Sequence, residues 1–315
     1  MGKILITGAA GFIGLNLARS LIKTNNKIYL LDNLSRGKID NNFKKLLKNK
    51  NVKFVKKDLI KNQNLVEKFD YIFHLASVVG VKNVNRDPFN TINNNIISTI
   101  NLIKSAKNQK KLKFVLFSTS EVYSSAIKNY SKFKPLLETN DLLIKSKTEA
   151  RDSYYLSKII NEKILALSGI KFLILRPHNI YGPRMGHSHV IPELIKRINS
   201  KNKCKIFSPN HSRSFCYIDD AIKQIISLSL SNKTNNSIYN IGNMKEEIKI
   251  FDLAKKIKNI VNKNCKLEKG KNTPGSPKRR KPSMKKTLGR VKNLNFVNLD
   301  KGLNKTAEWY LYKNW

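Results

Sequence analysis

Cysteine is scarce in this chain, acid is far scarcer than base, and no apolar run is long. The three cysteines, Cys204, Cys216 and Cys265, are odd in number, widely spaced and in no paired arrangement. That excludes a disulfide-stapled scaffold and points to a reducing compartment. His178, His187, His189 and His211 show no ligand spacing, so no metal centre is expected. No apolar stretch approaches the ~18 residues of a membrane span. A first strand entered at Lys3 leaves no room for a leader, so a soluble, cytoplasmic protein is expected. The 21 acidic residues face 61 Lys and Arg, a net charge of +40. The lysines are spread through every segment among asparagine runs such as 93–95, with no concentration on one element. A solvated basic surface is therefore expected, and a nucleic-acid partner is not.

What is present is core. With 315 residues and 40% hydrophobic content the chain can fold as one large or two coupled domains. Apolar runs at Lys3–Thr7, Ile28–Leu31, Val52–Val55, Tyr71–Leu75, Phe114–Ser118 and Phe172–Arg176 lack polar alternation and are separated by helical patterns. Ile13, Leu17 and Leu21 form one such pattern, and Ile159, Ile160, Ile164 and Leu167 another. Strands of this kind predict a parallel sheet covered on both faces, a doubly wound α/β fold. After Arg176 the texture breaks at Pro177, Gly182-Pro183, Gly186 and Pro192. Residues 1–176 are read as a nucleotide-binding domain, to which 219–241 returns through a helix at Asp219–Leu230 and a strand at Ser237–Ile241. Residues 177–218 and 242–315 are read as a smaller, mostly C-terminal α+β lobe, with helices at Ile250–Val261 and Leu299–Tyr310 and a basic loop over Lys269–Ser283.

Two motifs carry chemistry. Thr7-Gly8-Ala9-Ala10-Gly11-Phe12-Ile13-Gly14 follows a strand and opens a helix. Glycines there permit a tight turn and close approach of backbone to a pyrophosphate lying on the helix N-terminus. Asp32 ends the second strand, where a carboxylate binds the adenosine ribose hydroxyls and repels a 2′-phosphate. This favours NAD over NADP, with Arg36 close by in sequence. Asp58, ending the third strand, is a candidate adenine-edge acceptor or a helix cap. Farther on, Tyr154 and Lys158 stand one helical turn apart in Ser-Tyr-Tyr-Leu-Ser-Lys. An ammonium beside a phenol is expected to depress its pKa and make it a general base.

The glycine spacing, three residues then two, resembles that of extended short-chain dehydrogenase/reductases, and the resemblance runs through nearly the whole chain. His74-Leu75-Ala76-Ser77 is similar to the family's segment beneath the nicotinamide. Pro88 through Asn101 resembles its Pro…Asn…Thr-x-Asn helix, with Asn95 at the asparagine position. Ser118-Thr119-Ser120-Glu121-Val122-Tyr123 resembles its active-site strand end. Arg176-Pro177-His178-Asn179-Ile180-Tyr181-Gly182-Pro183-Arg184, Arg213-Ser214-Phe215-Cys216-Tyr217-Ile218-Asp219-Asp220 and Arg279-Arg280-Lys281-Pro282 resemble segments that hold a nucleotide-sugar diphosphate. The chain is thus identified as a member of the NAD-dependent nucleotide-sugar epimerase, dehydratase and decarboxylase group, with a Rossmann-type domain.

The resemblance implies site residues. NAD would be held by Gly8, Gly11, Phe12, Ile13, Gly14, Asp32, Asn33, Arg36, Asp58, Leu59, Leu75, Ala76, Ser77, Asn95, Tyr154 and Lys158. The sugar nucleotide, with UDP as its expected carrier, would be held by Asn179, Arg184, Arg213 and Arg280, and the positive field would help capture its pyrophosphate. Tyr154, Lys158, Thr119, Ser120 and Glu121 would carry the chemistry through a transient 4-keto sugar. Glu121 resembles the glutamate of dehydratases and UDP-glucuronate decarboxylases, and Arg280-Lys281-Pro282-Ser283 resembles decarboxylases, whereas Val78-Val79-Gly80-Val81-Lys82 resembles the loop of some 4-epimerases. Ser120 stands where 4,6-dehydratases carry Asp. Ser124 replaces a family glycine, and a long segment, roughly Ser125–Arg151, precedes Tyr154. The reading leans narrowly to a UDP-sugar 4-epimerase, with UDP-glucuronate decarboxylase next, a 4,6-dehydratase after it, and a basic NAD- or RNA-binding protein as the non-enzymatic alternative. A homodimer is implied, paired through the helices near Asn95–Ala106 and Tyr154–Leu167.

Overall fold

A computed structural model describes residues 2–61, 67–125 and 135–312. Residues 126–134 of the long segment before Tyr154 thus lie outside the described residues. The chain divides into two compact units, Met1–Val122 with Ile144–Arg176 and Ile222–Tyr239, and Tyr123–Leu143 with Pro177–Ala221 and Asn240–Trp315.

The first unit is built on β1 (Lys3–Thr7), α1 (Phe12–Leu21), β2 (Lys27–Asp32), α2 (Asn41–Leu47), β3 (Val52–Lys56), β4 (Tyr71–His74), α3 (Val81–Arg86), α4 (Pro88–Ala106), β5 (Lys113–Phe117), α5 (Asp152–Ala166) and β6 (Phe172–Pro177). β1 to β6 pair in parallel. With the later strand β11 (Ser237–Ile241), they form a seven-stranded sheet in the order β11-β6-β5-β4-β1-β2-β3. Apart from the edge strand β3, which is largely exposed, these strands are apolar on both faces because both are covered. Leu5 joins Leu102, Ile103, Phe114, Leu165 and Ile174 in one cluster. Its neighbours Ile4 and Ile6 point the opposite way by the two-residue pleat and are equally buried.

Strand order reverses between β1 and β4, so the loops leaving their carboxyl ends part there and open a crevice, the usual ligand position in such sheets. The unit is discontinuous in sequence. The buried Lys113 amine donates to Ser231 O at 2.7 Å, Thr234 Oγ1 at 2.9 Å and Leu228 O at 3.5 Å. It thereby caps the carbonyl end of the helix Ile218–Leu230, where a cation suits both the orphan carbonyls and the helix dipole.

The second unit contains β7 (Ile180–Tyr181), α6 (Val190–Asn199), β8 (Lys203–Ile206), β9 (Ser212–Ser214) and β10 (Cys216–Tyr217). After α7 (Ile218–Leu230) and β11 (Ser237–Ile241), which straddle the units, come β12 (Glu247–Lys249), α8 (Ile250–Val261), β13 (Lys266–Lys269), β14 (Arg279–Arg280), α9 (Lys285–Leu288) and α10 (Leu299–Tyr312). Its core follows helical spacing: Ile191, Leu194, Ile195 and Ile198 on α6, Ile250, Leu253 and Ile257 on α8. α10 approaches so closely that a Cβ at Gly302 would stand 2.1 Å from the Tyr181 hydroxyl. The basic stretch Lys269–Ser283, expected as loop, contains β14, which joins β9 and β12 in a three-stranded sheet. Its two residues are too few to show a periodicity.

Candidate active site

The glycine-rich turn sits at the crevice of the first unit. Gly8 has φ +68°, and a Cβ there would meet Ala76 N at 2.8 Å and the Leu75 carbonyl carbon at 2.9 Å. Glycine alone suits both demands. At Gly14 a Cβ would meet Gly8 O at 2.4 Å. Gly11 is the N-cap of α1 and supplies no side-chain cap, so the first-turn amides over Phe12–Gly14 face outward with the positive end of the helix dipole. Asp32 receives Ala10 N at 3.0 Å on Oδ2 and Leu34 N at 2.8 Å on Oδ1. Each oxygen keeps a lone pair, enough to accept a ribose diol. Asn33 Nδ2 donates to Asp58 Oδ2 at 3.2 Å, and Asp58 Oδ1 caps Ile60 N at 3.0 Å. Leu59, buried beside it, gives its carbonyl to Asn101.

Beneath the turn, Leu75 N donates to Thr7 O and Ala76 N to Thr7 Oγ1. His74 is sealed between Thr7 Oγ1 at 2.8 Å and Thr99 Oγ1 at 3.0 Å. Burial, with the Lys158 charge adding to it, lowers its pKa to about 3, so the ring is neutral and structural at ordinary pH. Asn95 accepts from Val78 N at 2.7 Å and donates to Val78 O at 3.2 Å and Ser157 Oγ at 3.1 Å. It pins the segment after Ser77 to α5. Ser77 itself donates to Val78 O at 3.5 Å.

At the end of β5, Thr119 and Ser120 are buried, and Glu121, second in the single turn Ser120–Tyr123, has its amide on Thr119 Oγ1 at 3.2 Å. The Tyr154 phenol feels the Thr119 hydroxyl and the charges of Glu121 and Arg36. Lys158 Nζ lies 5.9 Å from the Tyr154 ring centroid and donates to Phe117 O at 3.0 Å. The spacing predicts a depressed phenol, and here the protein's own groups do the reverse. Burial first, then the Glu121 carboxylate, raise the Tyr154 pKa above its ordinary 10, against smaller lowering by Thr119 and Arg36. Burial also lowers Lys158 to about 8. A cation brought against the ring would reverse the balance. α5 is held in register by a buried, two-pronged pair, Arg176 Nε to Glu162 Oε1 at 3.0 Å and Nη2 to Oε2 at 2.7 Å. Sequence spacing gave no role to Glu162, Ser157 or Thr99, and placed Ser118 only within the strand end. The Ser118 hydroxyl is buried beside Thr119 with no hydrogen-bond partner among the described residues. That orphaned atom, the cradle at Gly8 and Gly14 and the receptive Asp32 carboxylate fit a dinucleotide.

In the second unit, the register of β14 on β9 puts Arg280 beside Arg213. Arg213 is steadied by Ser212 O at 2.7 Å and Ser276 Oγ at 2.8 Å. Arg280 is buried, with Ser124 Oγ at 3.5 Å. Arg279 pairs instead with Glu247, whose carboxyl it holds near 2 together with Ser212 and Lys281. Asn179 (φ +39°) donates to Ser214 O at 3.0 Å, and Arg184 (φ +69°) is buried. Among the described residues no group of three or more His, Cys, Asp or Glu could hold a metal ion, and no helix is long and apolar enough to cross a membrane.

The model of the NAD dependent epimerase/dehydratase family matches residues 4–242. A UDP-N-acetyl-alpha-D-glucosaminuronate decarboxylase of Bacillus cytotoxicus is 29% identical over 98% of this chain and 97% of its own. A dTDP-D-glucose 4,6-dehydratase of Dictyostelium discoideum is 35% identical over 82% of this chain, which spans 62% of that protein's length. Among solved structures, UDP-glucuronic acid 4-epimerase from Bacillus cereus, in complex with UDP-glucuronic acid and NAD, superposes with TM-score 0.86 at 28% identity, covering 98% of each chain.

Proposed function

Because this chain belongs to the NAD-dependent epimerase/dehydratase family, we propose that it modifies a UDP-sugar through a transient 4-keto intermediate, and that the keto sugar is then decarboxylated. When bound, NAD would supply the acceptor for a hydride from carbon 4 of the sugar and its later return. Tyr154 Oη takes the 4-hydroxyl proton, Thr119 Oγ1 orients that hydroxyl, and Lys158 and Ser120 complete the polar wall around it. Gly8, Gly11, Phe12, Ile13, Gly14, Asp32, Asn33, Arg36, Asp58, Leu59, Leu75, Ala76 and Ser77 line the cofactor, with Asn95 positioning the segment beyond Ser77. Asn179, Arg184, Arg213 and Arg280 take the diphosphate and ribose, the arginines because a planar fork suits phosphate oxygens.

The observation that carries the decarboxylase reading is the Glu121 carboxylate, whose charge is felt at the Tyr154 phenol. Reversible hydride transfer has no use for a carboxylate there. Oxidation at carbon 4 makes a 6-carboxylate a β-keto acid; loss of carbon dioxide leaves an enolate whose carbon 5 takes a proton that comes from water, and Glu121, a carboxylate, is suited to relay it. The 4-epimerase reading is favoured by the Val78–Lys82 segment and by likeness to the Bacillus cereus epimerase. Mass spectrometry of products from UDP-glucuronate and UDP-glucose separates the two. Carbon dioxide with a UDP-pentose supports decarboxylation, 4-epimers of unchanged mass overturn it in favour of epimerisation, and an inert protein removes both. A homodimer through α4 and α5 is part of the proposal, checked by sedimentation at micromolar concentration.

A further inference from the structure

The second unit carries two neighbouring phenylalanine rings, each with a cation laid on it. The Arg197 guanidinium lies 5.6 Å from the centroid of Phe207, and the amines of Lys255 and Lys269 lie 5.3 and 5.6 Å from that of Phe251. Phe251 N donates to Pro209 O at 3.0 Å. Gly270 sits against both the Phe207 ring and the stem of Lys205, at 3.2 and 3.1 Å from where its Cβ would be. Arg197 and Lys255 have carboxylate partners, Glu193 and Asp252. Lys205, Lys269 and Lys271 are exposed and have no carboxylate partner among the described residues. The fold thus gathers, from α6, β8, α8 and the end of β13, a local excess of positive charge around flat apolar rings that the even spread of lysine along the sequence conceals.

Phe207 is 48% exposed, so part of its ring stays open to solvent beside the guanidinium. With a guanidinium on the ring, a lipid chain would have to displace charge to insert, whereas a nucleobase can stack on the open part of the ring. Exposed amines suit a phosphate backbone, and base stacking on aromatics tolerates any sequence. A duplex hides its base faces and gains nothing from the ring. We propose that this face, centred on Phe207 with Lys205 and Lys269, binds single-stranded nucleic acid, independently of the activity proposed above.

Fluorescence anisotropy of labelled 12-mer oligothymidylate and oligouridylate, titrated with the full chain at several salt concentrations, tests it. Phe207→Ala is expected to weaken binding about ten-fold or more, the scale of one lost base stack, and Phe207→Trp to restore it. Lys205→Glu with Lys269→Glu should lower the magnitude of the log–log salt slope by at least about 1.4, the value for two phosphate contacts on a single strand. The same change at Lys44 and Lys45, exposed on α2, should shift affinity by about two-fold or less. Four results each overturn the proposal: no binding by the wild type, undiminished binding by Phe207→Ala, an equal loss from the α2 substitutions, or equal affinity for duplex. Binding to phosphatidylserine vesicles without binding to the oligonucleotides does so as well.

Discussion

Arg280 stands directly across from Arg213 where β14 runs parallel beside β9. Two like charges facing each other across a strand pair repel, and the arrangement becomes favourable when an anion lies between them. Replacing Arg213 with Gln is therefore expected to weaken UDP binding by about ten-fold or more, as loss of a charge-assisted contact of ~1.5–3 kcal/mol requires. Isothermal titration with UDP reads this without any turnover. Undiminished affinity would remove Arg213 from the diphosphate site.

Tyr154→Phe deletes one oxygen at nearly constant volume. Folding and NAD binding should survive while turnover falls by about two orders of magnitude or more, the scale of a lost general base. Single-turnover kinetics with intrinsic fluorescence as a folding check decide it, and turnover within ten-fold of wild type would refute the assignment.

Glu162→Gln leaves Arg176 buried with its charge unmatched. A loss of ~3–5 kcal/mol of stability is expected, read from urea midpoints. Replacing both together, Glu162→Leu with Arg176→Met, should cost less than the single change, because no bare charge remains.

Gly302→Ala adds a methyl group into the Tyr181 hydroxyl, 2.1 Å away on a fully buried ring. Such overpacking costs ~1–3 kcal/mol, although alanine is the better helix former. A Tm equal to or above that of the wild type would show that α10 slides freely.

His74 titrates near 3 when folded and near 6.5 when unfolded, so the unfolded chain binds more protons in between. Stability from this group is complete above pH 6.5 and is lost as pH falls towards 3, by about 2 kcal/mol at pH 5. Thermal melts from pH 7 to 5 should fall less steeply for His74→Asn than for the wild type.

The fold was legible because buried parallel strands are written as apolar runs. Lys3–Thr7 and Tyr71–His74 begin where their apolar runs begin, and Asp32 stands at its strand end. The cofactor turn was legible because glycine at positions 8, 11 and 14 answers a steric demand. Other relations are invisible to spacing. The Tyr154–Lys158 interval says that the two share a helix face, but not that burial and Glu121 would raise the phenol. β14 has too few residues to show a pattern, so the Arg213–Arg280 pairing emerges from register alone. Nothing local marks Asn95 as the residue that ties Val78 to Ser157.

The tie from Lys113 to residues 228–234 has a consequence for the chain as it is made. β6 has one neighbour, β5, until β11 arrives, and everything between Pro177 and Ser237 must be synthesised first. At ordinary translation speeds that is on the order of 3–12 s. Through that time the growing polypeptide presents an apolar strand with an unpaired edge, the kind of surface that recruits other nascent chains. Holdase chaperones should therefore be in greatest demand on ribosomes carrying this middle stretch, and slow codons there should lower the yield of folded protein.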